Sequence, residues 1–173
     1  MLFHNALEAD CDLVLPQADY STVVADVAAI QAGVAGLYSA LKATTGSSYG
    51  DALNINKAAE NLHQVIEKGS TDVLDASTPR VFTFAQTTQL LDVLGATYAN
   101  VSLTRDRLIA IQPAFKKLGV DAFAKGDVEK IAASTQTFGA ALVQHAPEGR
   151  YKRQAAVLAA KYNAALKQVI EKY

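Results

Sequence analysis

Cysteine and histidine are nearly missing from these 173 residues, which hold one cysteine, Cys11, and three histidines, His4, His63 and His145. A lone thiol excludes an intramolecular disulfide and a cysteine-based structural zinc site, and it leaves the redox compartment undetermined. Charge is scarce as well, at 19% of residues, and the formal net charge of -1 gives no electrostatic reason to expect nucleic acid as a partner. Long unbroken apolar runs are absent. The longest, Val23 to Ala40, is interrupted by Asp26 and Gln31 and is rich in alanine and glycine, so no segment reads as a membrane span and the protein is expected to be soluble. The stretch from Met1 to Asp19 carries Glu8, Asp10 and Asp12, with no basic segment ahead of an apolar block, so as written it is not expected to act as a secretory signal. Neither a lipidation box, a serine-rich stalk nor a hydrophobic tail is expected.

What the chain has in quantity is hydrophobic residues, 50% of the total, which excludes a disordered chain and suffices for one domain with a substantial core. Those residues recur three and four apart, the spacing that gathers side chains on one helical face. Ile30, Val34, Leu37 and Leu41 form one stripe, and Leu91, Leu94, Tyr98 and Val101 a second. Ile131, Thr135, Phe138 and Leu142 form a third, and Ala155, Leu158, Tyr162, Leu166 and Val169 a fourth. The pattern predicts an all-α fold, a single antiparallel bundle of about five helices over residues 21–173, behind an irregular lead-in over residues 1–20.

Punctuation residues place the helices. Asp19 or Ser21 caps the first, which runs to about Ala43, and Gly46, Ser47, Ser48 and Gly50 break it. Asp51 opens the second, with Ala52, Ile55, Ala59, Leu62 and Ile66 inward and a split or bend expected at Gly69. Thr78 with Pro79 reads as the start of a third helix reaching Ile111, and Pro113 is expected to end or kink it. Gly119 and Asp121 mark a further break, and Phe115 and Phe123 are expected to cap one end of the core. Ala146, Pro147, Glu148 and Gly149 form a short turn that sets the last two helices antiparallel.

No motif among these residues carries catalysis. Glu60 and His63 have the Glu-x-x-His spacing of di-iron bundles, but such a site needs the motif twice, and neither His4 nor His145 has a glutamate three residues before it. No metal, haem or other cofactor is expected. Cys11 and the many hydroxyls lack a histidine at a recognisable spacing, and the Gly46 to Gly50 segment lacks the lysine of a phosphate loop. Asn100, Val101 and Ser102 match the N-glycosylation triplet, yet in mid-helix.

Polar groups on the inward stripes are more informative. Thr87, Tyr98, Thr135 and Tyr162 point inward, and each buried hydroxyl needs a partner, whether a backbone carbonyl, a water or a ligand. Many alanines share these faces. Small side chains among scattered large ones leave a void, and an apolar void with a few hydroxyls suits an acyl lipid. Val34, Leu37, Leu62, Ile66, Leu91, Leu94, Phe138 and Leu158 are the candidate lining, and the four hydroxyls the candidate head-group contacts. The alternative is close packing through alanine with no cavity, in which exposed apolar residues such as Phe82, Tyr49 or Tyr151 adsorb to a hydrophobic surface or wall partner.

Four segments carry a resemblance: Val24-Ala25-Asp26-Val27-Ala28-Ala29-Ile30 with Leu37 and Leu41, Gln112-Pro113-Ala114-Phe115, the helix end from Phe138 to Ala146-Pro147, and Tyr162-Asn163-Ala164-Ala165-Leu166 through Tyr173. Over about residues 20–173 the order is similar to the fungal hydrophobic surface-binding protein A family, which includes ligand-binding domains of cell-wall galactomannoproteins. The resemblance implies a secreted or wall-associated helical domain that adsorbs to hydrophobic surfaces or holds fatty acids, without catalysis. Relative to a family precursor the chain lacks a signal and a Ser/Thr-rich anchor, and a trimmed mature domain would account for both.

Overall fold

A computed structural model describes residues 19–76 and 82–173. The expectations for the lead-in, including Cys11, and for Thr78 and Pro79 lie outside the described residues. Five helices account for nearly all of the rest: α1 Tyr20–Lys42, α2 Tyr49–Asp75, α3 Phe84–Leu118, α4 Asp121–His145 and α5 Arg150–Ile170. No strand occurs among the described residues.

Local chemistry sets the helix starts. The Asp19 carboxylate accepts from the Thr22 backbone N–H at 2.9 Å, and the Ser48 hydroxyl accepts from that of Asp51 at 3.1 Å, so α2 begins two residues before the expected Asp51. Before α3, Thr83 and Gln86 form a reciprocal capping box, each side chain accepting from the other's backbone N–H. Gly119 ends α3 with φ of 72°, a left-handed conformation that glycine adopts without a Cβ penalty.

Several expectations about breaks are corrected. Gly69 does not split α2. It is buried, and an added Cβ there would lie 3.3 Å from Phe138 and 3.4 Å from Asp26 and Ile30, so this glycine serves close approach of α1, α2 and α4. Pro113 does not end α3, which continues to Leu118. The ring faces solvent, and buried Phe115, 2% exposed, anchors the following turn. Phe123 caps no core, being 77% exposed, whereas Phe82, expected outside, is buried with its ring edge-on to Tyr20 and His145.

Along α3 the buried positions are Thr87, Leu90, Leu94, Thr97, Val101, Thr104, Leu108, Ile111 and Phe115, a strict alternation of three and four. Such a seam lies flat against neighbouring helices over its whole length. Helix α1 is long and apolar enough to cross a membrane by length and composition, and here its stripe from Val23 to Leu41 is buried within the bundle.

The helices close into a ring in the order α1, α2, α4, α5, α3 and back to α1. Helices consecutive in sequence run antiparallel, as the Asp26–Lys68 pair and the Gly33–Leu62 contact register for α1 and α2. Neighbours two apart in sequence run parallel with a constant offset. Asn56, Glu60 and His63 of α2 meet Asp127, Lys130 and Ser134 of α4, and Phe84, Tyr98 and Leu108 of α3 meet Tyr151, Tyr162 and Tyr173 beside α5.

Closing five helices rather than four into a ring has a geometric consequence. At an interaxial distance of about 10 Å, the axes stand about 8.5 Å from the centre of a five-membered ring but about 7 Å from that of a four-membered one. Side chains of ordinary size reach the centre of the smaller ring. They leave the larger one partly empty.

Candidate functional site

An elongated cavity of about 340 Å³ occupies the middle of the ring, with a wall contributed by all five helices. All eight of Val34, Leu37, Leu62, Ile66, Leu91, Leu94, Phe138 and Leu158 line it. Along α3 the lining extends from Leu91 to Phe115, about 36 Å of helix at 1.5 Å per residue. Small residues on the same wall, Ala52, Ala59, Ala155, Ala159 and Ala165, leave the centre open. Alanine therefore both admits close packing and shapes the void. Where α4 meets α5 it does the former, since Gly139 sits so near Ala159 that a Cβ would approach it to 2.9 Å.

The four inward hydroxyls divide. Thr135 and Tyr162 line the cavity, whereas Thr87 and Tyr98 do not. The buried Thr87 hydroxyl has no hydrogen-bond partner among the described residues and packs off the cavity wall. Tyr98 lies on the α3 flank facing α5, its ring 5.5 Å from that of Tyr162. The Tyr162 hydroxyl donates to the Leu94 carbonyl at 2.7 Å, and burial holds this phenol well above its ordinary pKa, so it stays neutral and offers a bound group only its lone pairs.

Periodicity alone missed the charged part of the wall. Arg105 and Asp127 line the cavity, the arginine four residues beyond Val101 on the stripe that begins at Leu91. Extending that stripe forward as well as backward places it. Arg105 is engaged by the neighbouring Asp106, which accepts from Nε and Nη2 at 2.8 Å each, and Asp127 accepts from Asn56 at 2.8 Å. At this end the lining reaches solvent through Tyr49, Leu53 and Phe123, 69%, 53% and 77% exposed.

Glu60 and His63 belong to the seam between α2 and α4. His63 contacts Ser134 at 3.3 Å and Glu67 at 3.5 Å, and Glu60 faces Lys130 at 3.8 Å. Among the described residues no three histidine, cysteine or acidic side chains gather at one point.

A five-helix ring around one long apolar cavity defines the architectural class. The hydrophobic surface binding protein A family model matches residues 20–144, and the chain belongs to that family. Solved structures share the whole fold at low identity. The protein AfMP4p in complex with palmitic acid aligns with a TM-score of 0.82 and 20% identity, over 89% of this chain and 99% of that one. Ligand-binding domains 1 and 2 of the Penicillium marneffei MP1 protein, both complexed with arachidonic acids, align with TM-scores of 0.79 and 0.80 at 16% and 11% identity. They cover 88% and 91% of this chain, and 97% of each of those. No curated protein matches the chain.

Proposed function

We propose that this protein is a non-catalytic carrier that holds a fatty acid, or a similar single-chain acyl lipid, in the cavity of its helical ring. The observation that carries the reading is the shape and chemistry of the cavity: long, narrow in cross-section, walled by aliphatic and aromatic side chains, and about 340 Å³ in volume. That volume lies near the lower end of small-molecule pockets, which run from about 300 to 1,000 Å³. A flexible chain can thread such a space, and each methylene taken from water contributes about 0.8 kcal/mol. Val34, Leu37, Leu62, Ile66, Leu91, Leu94, Phe138 and Leu158 would contact the chain. Thr135 and Tyr162 would contact any polar group that reaches the middle of the cavity. The fatty acids held by the structural neighbours support the same reading, and family membership supports a secreted or wall-associated setting.

The second reading, adsorption to a hydrophobic surface, has one observation in its favour: the exposed Tyr49, Leu53 and Phe123 at the end of the cavity. Extraction of the purified protein with organic solvent, followed by mass spectrometry, separates the two. Fatty acid near one equivalent, absent from an unrelated helical bundle made in the same host, supports the carrier. Absence of lipid, with no uptake of added fatty acid, leaves surface adsorption.

A further inference from the structure

An ionised carboxylate cannot rest among aliphatic side chains without a counter-charge, because burying an uncompensated charge costs far more than a few methylenes return. The cavity wall supplies none that is free. Arg105 is held by Asp106, Asp127 lies on the same wall, and Thr135 and Tyr162 are neutral.

A counter-charge stands just outside, in an open groove of about 780 Å³ between the first halves of α3 and α5. Arg150, Arg153 and Lys161 line it against a single acid, Asp92, and none of the three cations forms an ion pair among the described residues. Arg150 is positioned in advance. It donates to the Tyr151 hydroxyl at 2.6 Å, lies over that ring at 4.7 Å, and the ring stacks on Phe84 at 5.1 Å. Two residues, Leu91 and Leu158, line both this groove and the cavity, so a pair of leucine side chains is the wall between them. Beside them Gly95, which also lines the groove, has open space where a Cβ would be.

We propose that the groove is the head-group site of the acyl cavity: the carboxylate or phosphate of a single-chain lipid rests on Arg150, Arg153 and Lys161, and its chain passes between Leu91 and Leu158 into the ring. This rests on the acyl-carrier reading. It places the charged group at the α3–α5 seam and the far end of the chain toward Phe123.

The test uses the delipidated full chain, Arg153→Glu/Lys161→Glu, and a charge-matched control, Lys167→Glu/Lys172→Glu, titrated with dodecanoate, dodecyl phosphate and dodecanol. Arg153 and Lys161 are exposed, so unchanged thermal melting accompanies the first variant. The expected result is at least a tenfold loss for one or both anions in that variant alone, about 1.4 kcal/mol, with dodecanol binding unchanged. The anion that suffers the loss distinguishes a fatty acid from a phospholipid source. Equal anion affinity in wild type and variant, with dodecanol still bound, overturns the head-group site and leaves the carrier standing. Failure of the wild type to bind any of the three ligands overturns the carrier reading and the groove together.

Discussion

Leu94→Trp fills the cavity from the α3 wall, one turn from the Leu91 end, and should separate binding from folding. Leu94 is 5% exposed, lies in the first half of α3 three residues beyond Leu91, and lines the cavity. In a fully packed core so large an insertion costs about 1–3 kcal/mol through displaced neighbours. Here the indole can enter space that already exists, so the thermal midpoint should move by only a few degrees. The same ring occupies the path of the chain. If it displaces four methylenes at about 0.8 kcal/mol each, binding weakens by about 3 kcal/mol, or roughly two-hundredfold in Kd. Calorimetric titration of wild type and variant with palmitate, with melting curves on the same samples, measures both quantities. A folded variant that binds palmitate as tightly as wild type would refute the placement of the chain.

Two glycines, one on α3 and one on α4, should respond to alanine with opposite signs. Gly139→Ala brings a Cβ to 2.9 Å from that of Ala159 and should destabilise by about 1–3 kcal/mol, whereas Gly95→Ala enters open space in mid-helix and should stabilise by about 0.5–1 kcal/mol; urea unfolding of the pair checks both. Burial holds the Asp26 carboxyl above its ordinary value of 3.8, despite the Lys68 ammonium at 2.7 Å, so its contribution to stability is greatest below that pH and is lost as pH rises through the raised value. Asp72, held low by its hydrogen bond from Lys68, contributes in the opposite sense, and that contribution is lost as pH falls below 3.8. Asp26→Asn should therefore be neutral or stabilising at pH 7, with its advantage shrinking as the pH is lowered through the carboxylate range; a variant strongly destabilised at pH 7 would contradict this. Thr83→Ala removes one half of the capping box and should cost about 1 kcal/mol in thermal unfolding experiments.

The helices were legible because each buries a stripe that recurs at helical spacing, and Asp19, Ser48 and Gly119 carry recognisable cap chemistry. Breaks were harder to read. Gly69 and Pro113 have breaker chemistry, yet one lies where three helices crowd together and the other where its ring meets solvent, so tertiary position decides their effect. The eight aliphatic and aromatic residues assigned to the cavity wall follow from stripe membership alone. Which hydroxyls share that wall does not. Thr87 and Tyr98 sit on the flanks of α3 that face other helices, and only the closed ring order distinguishes those flanks from the face turned to the centre. The ring order joins α2 to α4 and α3 to α5, pairings between residues about 65 to 70 apart for which local spacing holds no record. The same is true of the groove lined by Arg150, Arg153 and Lys161, whose other wall comes from α3.

Enclosure of an acyl chain by the ring is tested by titrating the delipidated, folded protein with palmitate at several temperatures. The expected result is saturable binding near one chain per protein and a negative heat-capacity change from burial of apolar surface. No saturable heat and no retained palmitate, from a protein whose helical content is intact, would contradict it.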